Sequence, residues 1–159
     1  MNIQPILKLI HKAEDSLLVA ALATMLGTAI LQIILRNFFD SGIFWAESFL
    51  RILVLWLAML GAMVATREAN HISIDAFSRY LKPSHARWTN FFINIFSAAI
   101  CTIVTYYSLE FVGYEYEDQT IAFAKVPTWI CQSIIPLGFA VMAFRFVING
   151  FRGVIGAEK

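Results

Sequence analysis

Charge is scarce in this sequence: 14% of its 159 residues are charged, while 59% are hydrophobic. Soluble domains carry roughly a quarter charged residues, so this composition argues against a water-soluble domain and is typical of a membrane protein. The formal net charge is +1, which leaves no surplus of cations to neutralise nucleic-acid phosphates. The sequence therefore predicts an integral membrane protein that does not bind nucleic acid.

Cysteine and histidine are also sparse, and their positions exclude several kinds of site. Cys101 and Cys131 lie inside apolar runs without a CxxC pair, so neither a disulfide framework nor a zinc site is indicated. All three histidines lie outside the apolar runs, which excludes a bis-histidine haem within the membrane. They are His11, His71 and His85. Neither a Walker loop nor a nucleophile–base motif occurs, so we predict no enzyme and no cofactor.

The charge-free stretches predict an all-α protein with four transmembrane helices. The second stretch, residues 52–66, has fifteen residues, about 22 Å of helix against a hydrocarbon core of about 30 Å. Extending it back to Phe44 gives a full span, and this places Glu47 and Arg51 below the membrane surface. We predict one domain over residues 1–159, with approximate spans at 16–35, 44–66, 88–109 and 126–145.

The cations are distributed unevenly between the connections, and this predicts the orientation of the chain. Nine Lys and Arg residues lie in the two tails and the middle connection, while Arg36 and Lys125 lie in the first and third connections. Because cationic residues are retained on the cytoplasmic side, both termini are predicted to be cytoplasmic.

The middle connection, residues 67–87, has apolar residues at helical spacing. They are Ile72, Ala76, Phe77, Tyr80 and Leu81. The pattern predicts an amphipathic helix at about residues 72–82 that lies flat at the cytoplasmic interface, between the second and third spans. The alternative is an ordinary polar loop with scattered apolar residues.

Glu47 and Arg51 are candidates for a polar contact within the second span. They are four residues apart, so on a helix they share one face with the acid first, the favourable order for an ion pair. Leaving either charge alone in lipid costs about 2.5 to 3.5 kcal/mol on insertion scales, so a pair or a protein contact is expected. We interpret them as a polar contact with another helix or subunit; the alternative is snorkelling toward the outer headgroups.

Small and polar residues suggest helix packing. Ala58 precedes Ala62, and Gly61 precedes Ala65, by four residues, and we expect this face to pack inside the bundle rather than at an oligomer interface. Pro136 lies inside the fourth span and is expected to kink it. Several polar residues of the third span are expected to hydrogen-bond across the bundle, with a polar substrate path as the alternative. They are Asn90, Asn94, Thr102, Thr105 and Tyr106.

One run, residues 45–75, reads WAESFLRILVLWLAMLGAMVATREANHISID. Its characteristic residues are Trp45, Glu47, Arg51, Trp56, Gly61, Arg67, His71, Ile72 and Asp75. This combined pattern resembles the small membrane subunit of tripartite ATP-independent periplasmic (TRAP) transporters, the DctQ type. We interpret His71 and Asp75, four apart near Arg67, as a structural or subunit-contacting cluster, because a metal site would need further ligands. All the characteristic residues except Trp45 and Ile72 are candidate structural or subunit-interface positions.

The resemblance implies a division of labour in a bacterial inner membrane. A large membrane subunit moves substrate and sodium by an elevator-like motion, and a periplasmic binding protein delivers an organic anion such as a dicarboxylate, a sialic acid or a sugar acid. The small subunit is a fixed scaffold surrounded by membrane lipid, expected to be separate because the sequence ends at Lys159. The rival hypothesis is an autonomous small exporter that uses Glu47 as a proton-coupled site.

Overall fold

The computed structural model describes the helices, strands and connections of residues 4–68 and 83–155. It describes the burial and contacts of side chains for residues 8–67 and 88–151. Nearly all of the described residues are helical. The helices are α1 (Gln4–Phe38), α2 (Ala46–Glu68), α3 (Pro83–Glu117), the short α4 (Thr128–Gln132) and α5 (Ile134–Ile155). The predicted interfacial helix at about residues 72–82 lies outside the described residues.

Four helical segments of the described chain are long and apolar enough to cross a membrane, which confirms the predicted fold class. They are Lys8–Phe38, Ala46–Arg67, Trp88–Glu117 and Thr128–Phe151. α1 and α3 run past their predicted ends at residues 35 and 109, because a helix that has left the hydrocarbon core no longer needs apolar side chains. α2 begins at Ala46 and contains both Glu47 and Arg51, as the short second stretch required.

The described residues fall into two compact units, and each is treated by itself. The first draws on Met1–Val64 and Phe111–Ile134, the second on Ala65–Glu110 and Ile135–Lys159. The buried residues of the first unit are Ala21, Ala46, Met59, Leu60, Met63, Cys131 and Ile134. Those of the second are Thr66, Ala98, Cys101, Pro136, Gly138, Met142, Ala143 and Gly150. Such small or flexible side chains let helices approach closely. The single domain stays a prediction.

A short β-hairpin lies where the fourth span was predicted to begin. Strand β1 (Ile121–Phe123) pairs antiparallel with β2 (Val126–Pro127), and Ala124 in the turn has a φ of 52°. The fourth helical segment therefore begins at Thr128, two residues after the approximate start predicted for the span. Val126 precedes a proline, which disfavours helical backbone, and Pro127 itself is extended, with φ −63° and ψ 142°.

The kink expected at Pro136 is found as a break between α4 and α5, at Ser133. Pro136 has no N–H for the carbonyl of Gln132, and its ring collides with that carbonyl in a regular helix. α4 therefore ends with its own contacts, in which the Ser133 backbone N–H donates to the Trp129 carbonyl at 3.0 Å and the Ser133 hydroxyl donates to the Ile130 carbonyl at 2.7 Å.

Candidate functional site

The exposed residues of α2, among those described, share one side of the helix. They are Glu47, Arg51, Val54, Ala58 and Ala65, spaced by three, four and seven residues. Gly61 lies on the same side, and a methyl group added to its Cα would meet no atom within 4 Å. We use "the α2 face" for the part of this side within the first unit: Glu47, Arg51, Val54, Ala58 and Gly61.

The small residues of α2 thus do not pack as expected. Ala58 and Ala65 are exposed, and the space beside Gly61 is open. Internal packing is instead provided by the opposite side, where Met59, Leu60 and Met63 are buried. The expectation that Ala58, Gly61 and Ala65 pack inside the bundle is wrong, because the bulkier methionines and leucine occupy the buried side.

Trp56 fixes the buried side of α2 to the broken helix. Its indole N–H donates to the backbone carbonyl of Cys131 at 2.9 Å. In an uninterrupted helix that carbonyl would accept from the N–H four residues later, so the break at Ser133 makes it available to Trp56. Backbone groups in a membrane must be satisfied within the protein, and this hydrogen bond satisfies one of them.

A cluster of aromatic rings holds the start of α2 to the hairpin. The Phe123 ring centroid lies 5.1 Å from that of Phe49 and 6.1 Å from that of Trp45, and Trp45 and Phe49 are themselves 5.9 Å apart, edge to face. Ala46, between them in sequence, is fully buried. Rings at these separations attract beyond the area that they bury, so the first turn of α2 is well fixed.

Gln32 organises the connection between α1 and α2. Its side-chain amide accepts from the Ile43 N–H at 3.2 Å and donates to the Ile43 carbonyl at 3.5 Å. A Cβ added to Gly42 would lie 3.2 Å from the Gln32 amide nitrogen, so this clamp leaves little room for a side chain there. Asp40 has a φ of 46°, a conformation that Asp tolerates better than most residues.

An open cleft of about 570 Å³ lies along this connection. It is lined by Gln32, Arg36, Asp40, Ser41, Gly42, Ile43, Phe44 and Glu47. The lining contains a cation, two carboxylates and a hydroxyl, and it is continuous with the α2 face through Glu47. A surface of both signs with an exposed phenylalanine suits contact with another protein better than enclosure of a small molecule.

The predicted ion pair between Glu47 and Arg51 is not formed. Both side chains are exposed, and within the described ranges neither makes an ion pair or a hydrogen bond. The spacing prediction placed them correctly on one face, but exposed helix pairs gain only about 0.3 to 0.5 kcal/mol, too little to hold two long side chains together.

The other candidate residues are placed less fully. Arg67 is half-buried in the last turn of α2. His71 and Asp75 lie outside the described residues. Within the part of the chain that the structure describes, no three His, Cys, Asp or Glu side chains lie close enough to hold a metal ion.

Asn94, Thr102 and Thr105 of α3 hydrogen-bond within their own helix rather than across the bundle as expected. The Thr102 hydroxyl donates to the Ala98 carbonyl and the Thr105 hydroxyl to the Cys101 carbonyl, each at 2.8 Å. The Asn94 amide donates to both the backbone and side-chain oxygens of Asn90. These groups are satisfied one turn back within their own helix, so they do not mark a polar path.

Two residues of the site were missed from sequence. Gln32 lies inside the first apolar stretch. A single amide side chain in such a stretch indicates a hydrogen bond to another part of the protein, which here is the backbone of Ile43. Phe123 gave no signal, since its role depends on a hairpin that brings it to Trp45 and Phe49.

Residues 25–156 match the family described as tripartite ATP-independent periplasmic transporters, DctQ component. The sialic acid TRAP transporter small permease protein SiaQ of Vibrio cholerae is 25% identical over 91% of this chain and 83% of that protein. The ectoine TRAP transporter small permease protein TeaB of Halomonas elongata is 24% identical over 94% and 78%.

A third relative is longer. The sialic acid TRAP transporter permease protein SiaT of Haemophilus influenzae is 30% identical over 89 residues, which are 56% of this chain and 14% of that protein. The family match covers most of the sequence and includes α2 with its exposed face. This chain therefore belongs to the DctQ component family of TRAP transporters.

Proposed function

We propose that this chain is the small permease subunit of a TRAP transporter and that it serves as a fixed scaffold for a large permease subunit. The observation that carries the proposal is the two-sided character of α2. One side is fixed by Trp56 and by buried Met59 and Leu60, while the other leaves Glu47 and Arg51 exposed. Charges displayed on a firmly held membrane helix suit contact with a partner protein, and the proposed role includes no enzymatic reaction.

The proposed localisation is a bacterial inner membrane with both termini in the cytoplasm, supported by the nine-to-two bias of cations. In this orientation the α1–α2 connection and the hairpin lie at the outer surface. The cleft beside Arg36, Asp40 and Glu47 then faces the compartment in which a periplasmic binding protein delivers substrate. Contact with that protein is part of the proposal.

The transported solute is proposed to be an organic anion, such as a dicarboxylate, a sialic acid or a sugar acid, moved together with sodium by the large subunit. Relatives named for sialic acid and for ectoine align with this chain over similar lengths, so the alignment selects no substrate. Ectoine was not among the solutes that the resemblance implied. This agrees with a subunit that supports transport without contacting the solute.

Reconstitution tests the proposal. The purified chain, the large permease and the binding protein would be placed in liposomes together and in each incomplete combination, under an inward sodium gradient, with each candidate solute. We expect sodium-dependent uptake from the complete set, and none from this chain alone. Uptake by this chain alone would support the autonomous exporter, and full uptake without it would reduce it to a dispensable accessory.

A further inference from the structure

We propose that the α2 face packs against a transmembrane helix of the large permease subunit, and that this helix presents a carboxylate level with Arg51. The inference rests on the proposed function and adds to it a surface and the chemistry of the contact. Three observations on α2 carry it: its unpartnered charges, its small residues, and the confinement of both to one side.

The first observation is that the charge of Arg51 has no partner in the described chain. Arg51 lies five residues inside α2, about 7 Å from the helix start, exposed and without an ion pair or hydrogen bond in the described chain. An arginine in lipid is costly, and a guanidinium binds a carboxylate through two parallel hydrogen bonds. Glu47, one turn nearer the outer end, favours a partner residue that donates a hydrogen bond at its own level.

The second observation is that small residues leave open space on the α2 face. Below Arg51 the α2 face continues through Ala58 and Gly61, and nothing fills the space beside Gly61. Snorkelling to a lipid headgroup would satisfy Arg51 but would not explain these residues, because lipid tails do not require a narrow helix face. Small residues let two backbones approach closely, and in membranes this is how helices pack.

Another helix of this chain provides the contrast. The exposed side of α3 carries Phe92, Phe96 and Ile103, which are 64%, 68% and 56% exposed. Bulky apolar side chains of this kind suit contact with lipid tails. The α2 face differs from this surface in both charge and size, so lipid alone does not account for it.

Charge complementarity favours a different protein over a second copy of this chain. Two copies in one membrane have the same orientation, so their Arg51 side chains would meet at the same depth, as would their Glu47 side chains. Like charges at such a contact repel. A distinct subunit with an acid level with Arg51 removes this repulsion.

The test uses the complete transporter in native membranes. The variants Ala58→Leu and Gly61→Leu place bulk on the α2 face, and Ala99→Leu is the matched control on the exposed side of α3. The readout is the amount of large permease that co-purifies with the tagged chain in mild detergent, divided by the amount of chain in the membrane. We expect a loss of about tenfold or more for the two α2 variants, and less than about twofold for the control.

Charge reversal tests the carboxylate. Arg51→Glu should also lower co-purification by about tenfold, Arg51→Lys should lower it less, and one acid-to-lysine substitution in a span of the large permease should restore association to Arg51→Glu. Wild-type association in Ala58→Leu and Gly61→Leu would overturn the surface, leaving this side to lipid. Wild-type association in Arg51→Glu, or the absence of any rescuing substitution, would overturn the carboxylate.

Two further results separate this inference from the proposed function. If the unchanged chain does not associate with the large permease, the proposed function itself fails. If the α2 variants keep the large permease but lose contact between copies of this chain, the surface is a self-association site and the inference is wrong. Size-exclusion profiles of each variant show whether the chain still folds.

Discussion

Gly61 of α2 and Gly150 of α5 both lie inside long helices but have very different surroundings. A Cβ added to Gly150 would lie 3.3 Å from the Asn94 Cβ and 3.8 Å from Phe91, whereas one added to Gly61 would meet nothing within 4 Å. Gly150 is buried, and the neighbouring Phe151 ring lies 5.9 Å from Phe91. One glycine thus permits contact within the chain, and the other leaves space on its exterior.

The polar residues of α2 and α3 differ in the same way. Threonine hydroxyls at residues 102 and 105 donate to carbonyls of their own helix, so α3 needs no partner to satisfy them. A guanidinium or carboxylate cannot be neutralised by its own helix backbone, and Arg51 and Glu47 are exposed. Polarity in a membrane helix therefore indicates a partner only when the helix cannot satisfy the group itself.

Gly150→Leu is expected to cause the largest loss of stability in the isolated chain. Four added carbons must displace Asn94 or Phe91, and overpacking of this kind costs about 1 to 3 kcal/mol. Gly61→Leu should change stability by less than about 0.5 kcal/mol, because its side chain enters open space. Thermal unfolding of both variants in detergent measures the difference, and equal destabilisation would remove the contrast between the two glycines.

The second largest loss of stability is expected when the Trp56 hydrogen bond is removed. Trp56→Phe leaves the Cys131 carbonyl without its indole donor and should cost about 1 kcal/mol. Trp45→Phe is the control, since Trp45 is 44% exposed and contacts the rings of Phe49 and Phe123. Thermal unfolding in detergent compares the two variants, and equal stability would show that the Trp56–Cys131 hydrogen bond does not stabilise the chain.

A double-mutant cycle on Glu47 and Arg51 should give a smaller effect. Since the two side chains do not pair, Glu47→Ala and Arg51→Ala should be additive in the isolated chain, with a coupling below about 0.5 kcal/mol. Urea or thermal unfolding of the four variants measures this coupling. A coupling above about 1 kcal/mol would restore the ion pair that the spacing alone suggested and weaken the case for an external partner.

Thr102→Val is expected to change the stability of the chain least. The hydroxyl bonds only to the Ala98 carbonyl, which is already part of the α3 helix, so its removal should change stability by less than about 0.5 kcal/mol. Thr24→Val on α1 should behave alike, because its hydroxyl donates to the Ala20 carbonyl at 2.8 Å. A large loss of transport in Thr102→Val with unchanged stability would revive the polar path.

The spans were predictable because lipid requires long charge-free helices, and the positions of the charged residues show where such helices can lie. The hairpin at residues 121–127 was not. Its strands have three and two residues, too short for a periodic signal, and they depend on ring contacts with Trp45 and Phe49. The pair Val126–Pro127 was the one local sign that helix does not begin there.

The sequence placed part of the site but did not show which side of α2 is buried, and it missed Gln32 and Phe123. The spacing of Glu47 and Arg51, of Ala58 and Ala62, and of Gly61 and Ala65 placed each pair near one face of α2. Which face is buried could not be predicted, because lipid and protein interior are both apolar and hydrophobic periodicity does not distinguish them. The burial of Met59 and Leu60 and the bond from Trp56 provide that direction.

Site-specific photocrosslinking in native membranes tests the central claim most directly. A photoreactive phenylalanine analogue would replace Val54 on the α2 face or Phe96 on α3, which are exposed and already carry larger side chains, in cells that contain the complete transporter. We predict a crosslink between position 54 and the large permease, and no crosslink to that subunit from position 96. A crosslink from position 96 alone, or only lipid adducts at position 54, would contradict the account.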